Sequence, residues 1–243
     1  MRRLTSASDI KQLGTILGVW AHPDDETFTS AGIMATAIQN GQQVICVTAT
    51  NGEAGVQDVL RWPANNLAEI RKHELAESLK ITGVSNHHEL GFKDGSCLAD
   101  DDQGIDKVCN LIEKYQPNTI LTFNKDGMTG HTDHIAVCNW ALSAKIKTQT
   151  QAQIYHAVLA KEQYGNSLRT LDEELNIFFN LEQPHFVNAS NCDIYFELSL
   201  ELQELKFKAI EAMPSQTAKM LQDFEKRLIC DAFLTEVFIK HRD

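Results

Sequence analysis

The feature that most constrains this chain is a rhythm. Short apolar runs rich in β-branched residues alternate with longer stretches whose apolar residues recur at helical spacing. Residues 14–20 (G-T-I-L-G-V-W) read as a buried strand, and residues 25–39 as a helix stopped by Gly41. Residues 44–50 form a second strand. Leu67, Ile70, Leu75 and Leu79 mark a helix over about 67–81. A short strand over 88–90 precedes a helix over 105–115, which ends before Pro117. A strand over 119–123, a helix over about 131–147 and a strand over 154–159 follow. Strands alternating with helices indicate βαβ units and a mainly parallel sheet. The expected fold is α/β, a Rossmann-like three-layer sandwich.

Beyond about residue 160 the rhythm weakens to a strand over 192–198 and helices over 200–213 and 215–228. No Pro/Gly/Ser-rich linker separates this stretch. The chain therefore reads as one domain, 1–243, with a core of about 14–160 and a helical and strand C-terminal flank of about 161–243. The acid run Asp100-Asp101-Asp102 reads as a solvated loop.

Size and charge bound the function. A chain of 243 residues buries a sizeable core without staples. Its net charge of −11 argues against nucleic acid and anionic membrane, whose binding needs clustered Lys and Arg. No apolar run reaches the ~20 residues of a membrane span. Met1-Arg2-Arg3 has the basic character of a signal-peptide start. Asp9 and Lys11 follow it, however, and the apolar run 16–21 is brief, so no signal or anchor is read and the expected location is cytoplasmic. Cys46, Cys97, Cys109, Cys138, Cys192 and Cys230 show no C-x-x-C spacing and read as reduced core thiols.

Two segments carry chemistry. The first, A-H-P-D-D-E at residues 21–26, sits where the first strand meets the first helix. Ligands bind outside the carboxyl ends of strands in open α/β sheets. Helix capping explains one of its acids, but not His22-Pro23 ahead of Asp24 and Asp25. The second, D-G-M-T-G-H-T-D-H at residues 126–134, again follows a strand and opens a helix. His131 and His134 lie three apart, on one helix face. Two His/Asp clusters at equivalent junctions favour a metal site over two capped helices. Nitrogen and oxygen donors without cysteine suit zinc, iron or manganese. A catalytic zinc keeps an open position for water, whose pKa falls to around 7, and a spare carboxylate beside it serves as general base.

At these residues the chain resembles the LmbE-like (PIG-L) family of metal-dependent N-deacetylases. The A-H-P-D-D-E block and G-H-x-D-H at residues 130–134 carry the resemblance. T-N-G-E at 50–53, Arg71 ahead of Glu74, G-F-K-D-G at 91–95 and Ser215-Gln216 extend it over most of the chain. The resemblance implies a Rossmann-like fold and one Zn2+ per chain, other divalent metals being alternatives, held by His22, Asp25 and His134. It implies Asp24 as general base, His131 as the group that stabilises or protonates the tetrahedral intermediate, and Asp133 as the residue orienting a histidine. Arg71 and Asp94 match positions that face substrate. The implied reaction removes an N-acetyl group from an N-acetylglucosaminyl-type amino sugar or conjugate, a small-molecule partner. Relatives often self-associate, so a homo-oligomer is a further implication. One departure stands out: relatives often carry a histidine shortly before Ser-Gln, where this chain has Met213-Pro214.

Two other readings share these residues: a mononuclear iron enzyme, whose ligand set is also two histidines and a carboxylate, and a non-catalytic metal- or sugar-binding protein. A dinucleotide-binding protein is excluded, because no G-x-G-x-x-G follows the first strand. His73, His87, His88, His156, His185 and His241 lack ligand-like spacing and read as structural or exposed. Trp20, Trp62 and Trp140 read as packing residues, Trp20 being placed to wall the site.

Overall fold

Strand β1 (Ile16–Trp20) is buried along its whole length, as are β2 (Val44–Thr50) and β4 (Thr119–Phe123). A run buried on both faces belongs inside a parallel sheet covered by helices. The computed structural model, which describes residues 3–242, has that arrangement. Met1, Arg2 and Asp243, which include the basic start and both ends of the stretch read as one domain, lie outside the described residues.

The elements follow in chain order: α1 (Ala7–Ile10), β1, α2 (Asp25–Gln39), β2, α3 (Leu67–Thr82), β3 (Asn86–Phe92), α4 (Asp102–Tyr115), β4, α5 (Thr132–Thr148), β5 (Gln153–Ala157) and β6 (Leu159–Ala160). The C-terminal flank adds α6 (Asn166–Leu175), β7 (Phe186–Val187), β8 (Ile194–Glu197), α7 (Leu200–Glu211), α8 (Pro214–Asp223), α9 (Lys226–Ala232) and β9 (Thr235–Lys240). The main sheet has seven strands in the order β3-β2-β1-β4-β5-β9-β8. β1 to β5 are parallel, while β9 runs antiparallel to both β5 and β8. β6 and β7 form a separate parallel pair. Among the described residues, no helix is long and apolar enough to cross a membrane.

Helices α2, α3 and α7 pack together, and α4 packs on α5. The α4–α5 approach requires Gly104, where a Cβ would stand 2.4 Å from the fully buried Trp140 ring. All six cysteines are unpaired, and five are buried.

The elements depart from the sequence pattern in four places. The acid run is not wholly loop: Asp101 caps α4 by accepting from the Gln103 N–H at 2.8 Å, and Asp102 begins the helix. The helix expected over 215–228 is two, because Phe224 is extended (φ −128°, ψ 145°). His131 stands outside α5 as its N-cap rather than on its face. The expected strand over 154–159 leaves the sheet after Ala157, and β6 pairs with β7 instead. Helices α1 and α6 and strands β7 and β9 had no counterpart in the pattern.

The flank is locked to the core through an ion pair in the interior. Lys206 (α7) and Glu236 (β9) are 2% and 1% exposed, with Nζ and Oε1 2.9 Å apart. Glu236 also accepts from the Gly32 and Ile33 N–H groups of α2 at 2.8 and 2.7 Å, and Lys206 donates to Phe28 O at 2.8 Å. Removing one member leaves the other charge uncompensated. Lys206→Met is therefore expected to lower unfolding free energy by about 3–5 kcal/mol in urea titrations, and the double variant Lys206→Met/Glu236→Leu to recover part of it. A loss below about 1 kcal/mol in the single variant contradicts this account.

Candidate active site

The two chemistry-bearing segments leave β1 and β4, which are direct neighbours. β2 lies on the other side of β1, so the strand order reverses between β1 and β4. Loops leaving adjacent strands at such a switch point diverge and open a crevice at the carboxyl edge.

In this crevice His22, Asp25 and His134 converge. His22 Nδ1 lies 3.1 Å from His134 Nε2 and 3.6 Å from Asp25 Oδ2, and His134 Nε2 lies 3.3 Å from Asp25 Oδ1. All three residues are buried. The other face of each ring assigns its tautomer. His134 Nδ1 is 2.9 Å from the Gly127 carbonyl, which only accepts, so Nδ1 carries the hydrogen and Nε2 a lone pair. His22 Nε2 lies 3.0 Å from Asp94 Oδ1 and 3.3 Å from Asp133 Oδ2, which leaves Nδ1 as the inward atom. Phe123, the last residue of β4, stacks flat on His134, with centroids 4.0 Å apart. Trp20 lies one layer further back, edge-on to Phe123 at 5.1 Å.

Donors spaced at 3.1–3.6 Å match a small metal ion. Bonds of about 2.0–2.1 Å at tetrahedral angles put ligand atoms roughly 3.3–3.5 Å apart. The electrostatics agree. Burial pushes the His134 pKa down to about 4, so its inward nitrogen is unprotonated at neutral pH. Burial opposes charge on Asp25, but the His134 and His22 imidazoles outweigh it and bring its pKa to about 2. His22 is held above its ordinary value despite burial, by Asp133, Asp25 and Asp94, so the pocket favours positive charge. Asp25 turns a different oxygen to each ring, Oδ2 to His22 and Oδ1 to His134; among the described residues, the groups whose single ligating atoms lie close enough together to hold an ion are His22, His131 and His134, and His22, Asp94 and Asp133.

Around this centre the remaining residues take distinct places. Asp133 is fully buried and accepts from the Gly95 and Cys97 N–H groups at 2.8 and 3.0 Å while facing His22. His131 Nδ1 accepts from the Asp133 N–H at 3.2 Å. Burial and the nearby His22 lower its pKa, and in the neutral ring Nε2 carries the hydrogen. Asp24 makes no capping hydrogen bond, although it stands at the N-cap of α2. Burial raises its carboxyl to about 7, against the pull of Arg71. Glu26, beside it, is pushed by burial to about 8.

Asp94 is committed to protein partners, and so is Arg71 through Nη1 and Nη2, while its buried Nε has no hydrogen-bond partner among the described residues. Asp94 Oδ1 faces His22, and Oδ2 accepts from the Ala54 N–H at 2.8 Å, so burial is outweighed and its pKa falls to about 2. Arg71 is 4% exposed and donates to Gly52 O, Pro23 O and Asp24 Oδ2.

Several supporting groups had no sequence signal of their own. Gly127 O, the Gly95 and Cys97 N–H groups and the Ala54 N–H act through the backbone, which residue identity does not announce. Glu53, which did carry a signal as the last residue of T-N-G-E, accepts from the Asp94 N–H at 3.0 Å. His185 pairs with Asp126 at 2.7 Å and so reaches the second block, although its spacing suggested nothing. His87 and His88 bond to Thr48 and Tyr115, and His156 to Phe123 O.

Comparison with known proteins bears on this arrangement. Residues 17–145 match the family model PIG-L, described as GlcNAc-PI de-N-acetylase. The 1D-myo-inositol 2-acetamido-2-deoxy-alpha-D-glucopyranoside deacetylase of Corynebacterium glutamicum is 30% identical over 222 residues, covering 83% of this chain and 74% of its own. The protein of the same description, numbered 1, from Saccharopolyspora erythraea is 29% identical over 200 residues, covering 70% of this chain and 66% of its own. The N,N'-diacetylchitobiose deacetylase of Pyrococcus horikoshii superposes with a TM-score of 0.66 at 20% identity, covering 96% and 85% of the two chains.

The hydrogen bonds behind His22 predict a result that needs no substrate. Outer partners of a ligating histidine set its orientation, and their loss costs 10–100-fold in metal affinity. Asp94→Ala is expected to weaken Zn2+ binding by about that factor in competition titrations with a chromophoric chelator. Unchanged affinity shows that the Asp94–His22 contact does not tune the centre.

Proposed function

This chain belongs to the PIG-L family, and on that footing we propose that it is a zinc-dependent N-deacetylase. It removes the acetyl group from an N-acetylglucosaminyl conjugate. The observation that carries the reading is the convergence of His22 Nδ1, His134 Nε2 and the Asp25 carboxylate at 3.1–3.6 Å, with Asp24 one residue before Asp25 and His131 three before His134. On this reading, ligands, a base and an oxyanion donor share one crevice. The named activities of the relatives support the substrate class, since each acts on an acetamido sugar.

His22, Asp25 and His134 hold the zinc, which when bound supplies a Lewis acid and lowers the pKa of a water towards 7. Asp24 takes the proton of the attacking water at its carboxylate as the oxygen adds to the acetamide carbonyl carbon. His131 Nε2–H donates to the oxygen that becomes negative in the tetrahedral intermediate, and the Asp133 N–H on Nδ1 holds that tautomer. The proton held by Asp24 then passes to the departing nitrogen. The C–N bond breaks, and acetate and a free amine result. Asp133, through His22, fixes the ring that binds metal.

Removing the base without the ligands separates the two functions. Asp24→Asn is expected to bind zinc as the native chain does, yet to lose at least about 100-fold in acetate release from N-acetylglucosaminyl-inositol or diacetylchitobiose. Native turnover in that variant removes Asp24 from the mechanism. Activity restored to metal-stripped protein by Fe2+ but not by Zn2+ overturns the choice of zinc.

A further inference from the structure

Asp24 has an unusual backbone, with φ 117° and ψ −31° in a residue that has a Cβ. Such a conformation costs on the order of 1–3 kcal/mol and persists only where surroundings impose it. The imposing contacts lie on the preceding peptide unit. The oxygen of that unit, Pro23 O, accepts from Arg71 Nη2, and its N–H, on Asp24, donates to Glu26 Oε2 at 3.2 Å. This peptide plane is held at both ends, and the Asp24 carbonyl beyond it is held by the Thr27 and Phe28 N–H groups at 2.9 and 3.0 Å, so φ of Asp24 is set. The same Nη2 donates to Asp24 Oδ2 at 3.0 Å, and Nη1 anchors the guanidinium to Gly52 O at 2.7 Å.

We propose that Arg71 is a positioning residue for Asp24, clamping the Pro23–Asp24 peptide together with Glu26 so that the carboxylate is aimed into the crevice. This rests on the deacetylase reading and assigns Arg71 a role through Asp24. The rest of its surroundings fit. Arg71 is 4% exposed. Glu26 is fully buried, and its Oε1 is held by Thr27 Oγ1 at 2.5 Å, which in turn lies 2.8 Å from Ser78 Oγ. Gly52 belongs to the same device: a Cβ there would stand 2.1 Å from Arg71 Nη1. Its φ of +64° adds a second reason for glycine. A lysine has one compact ammonium and cannot reproduce the planar fork that serves three acceptors on two loops.

The test compares Arg71→Lys and Gly52→Ala with the native protein, each checked for folding by thermal unfolding and for zinc content. Both variants are expected to lose kcat by about 100-fold, the scale for a misaimed catalytic group, with KM for the acetylated sugar and zinc content unchanged. A crystal structure of Arg71→Lys is expected to show Asp24 out of the positive-φ region. A raised KM with native kcat shows instead that Arg71 contacts substrate. Retention of φ near 117° and of the carboxylate position in that crystal structure overturns the clamp. If the native protein releases no acetate from any acetylated sugar offered, the deacetylase reading falls, and the crystal structure still decides the clamp.

Discussion

The structure depends on packing carboxylates together in the interior. Asp24, Asp25, Glu26, Asp94 and Asp133 meet around one crevice, where like charges repel strongly because little water screens them. Each is compensated to a different degree, and the pattern assigns their characters. Asp133 has two backbone N–H groups and His22; Asp94 has the Ala54 N–H and His22; Asp25 has His22 and His134. These are held low. Asp24 has Arg71 and, less strongly, His22 against burial and neighbouring acids, and rises to about 7. Glu26 has only hydroxyl and amide partners, and rises to about 8. A carboxyl group titrating near neutrality thus stands beside one that is charged there, and the difference comes from environment.

Keeping this cluster in place is a backbone problem. Six of the thirteen described residues with positive φ lie in the loops that leave the strand ends: Asp24 after β1, Gly52 after β2, Gly95 after β3, and Gly127, Met128 and Gly130 after β4. Each of these loops turns sharply back over the sheet edge and presents a carbonyl, an amide or a side chain inward. Strands β1, β2 and β4 beneath, buried on both faces, give them a rigid base.

The C-terminal flank is more than a cover. Ser215 donates from its N–H and Oγ to Glu74 at 2.9 and 2.5 Å, and Gln216 reaches Gly55 O at 3.0 Å, beside the Gly52 loop. On the other side, Gly130 lies against Asn180 and Leu181, and Asp126 pairs with His185. Met213 is buried ahead of α8, whose first turn Pro214 begins. The flank therefore buttresses the site loops from both sides, while Lys206 and Glu236 tie it to the middle of α2.

By itself the sequence determined the parallel core and the residues of the crevice. Runs of apolar and β-branched residues at 16–20, 44–50 and 119–123 admit few other outcomes, and two His/Asp blocks at strand ends announce themselves by residue type. The flank was less legible. Its helices are short, its strand β9 joins the sheet antiparallel between β5 and β8, and that pairing spans distances no local period records. Tertiary structure alone decided that β1 and β4 are neighbours at the reversal of strand order, so that His22 and His134, 112 positions apart, come within 3.1 Å. It also decided which way each imidazole faces and what Arg71 holds. Those follow from backbone carbonyls and amides such as Gly127 O, Pro23 O and the Gly95 N–H. Every residue carries such groups, so only their position in space gives them a role.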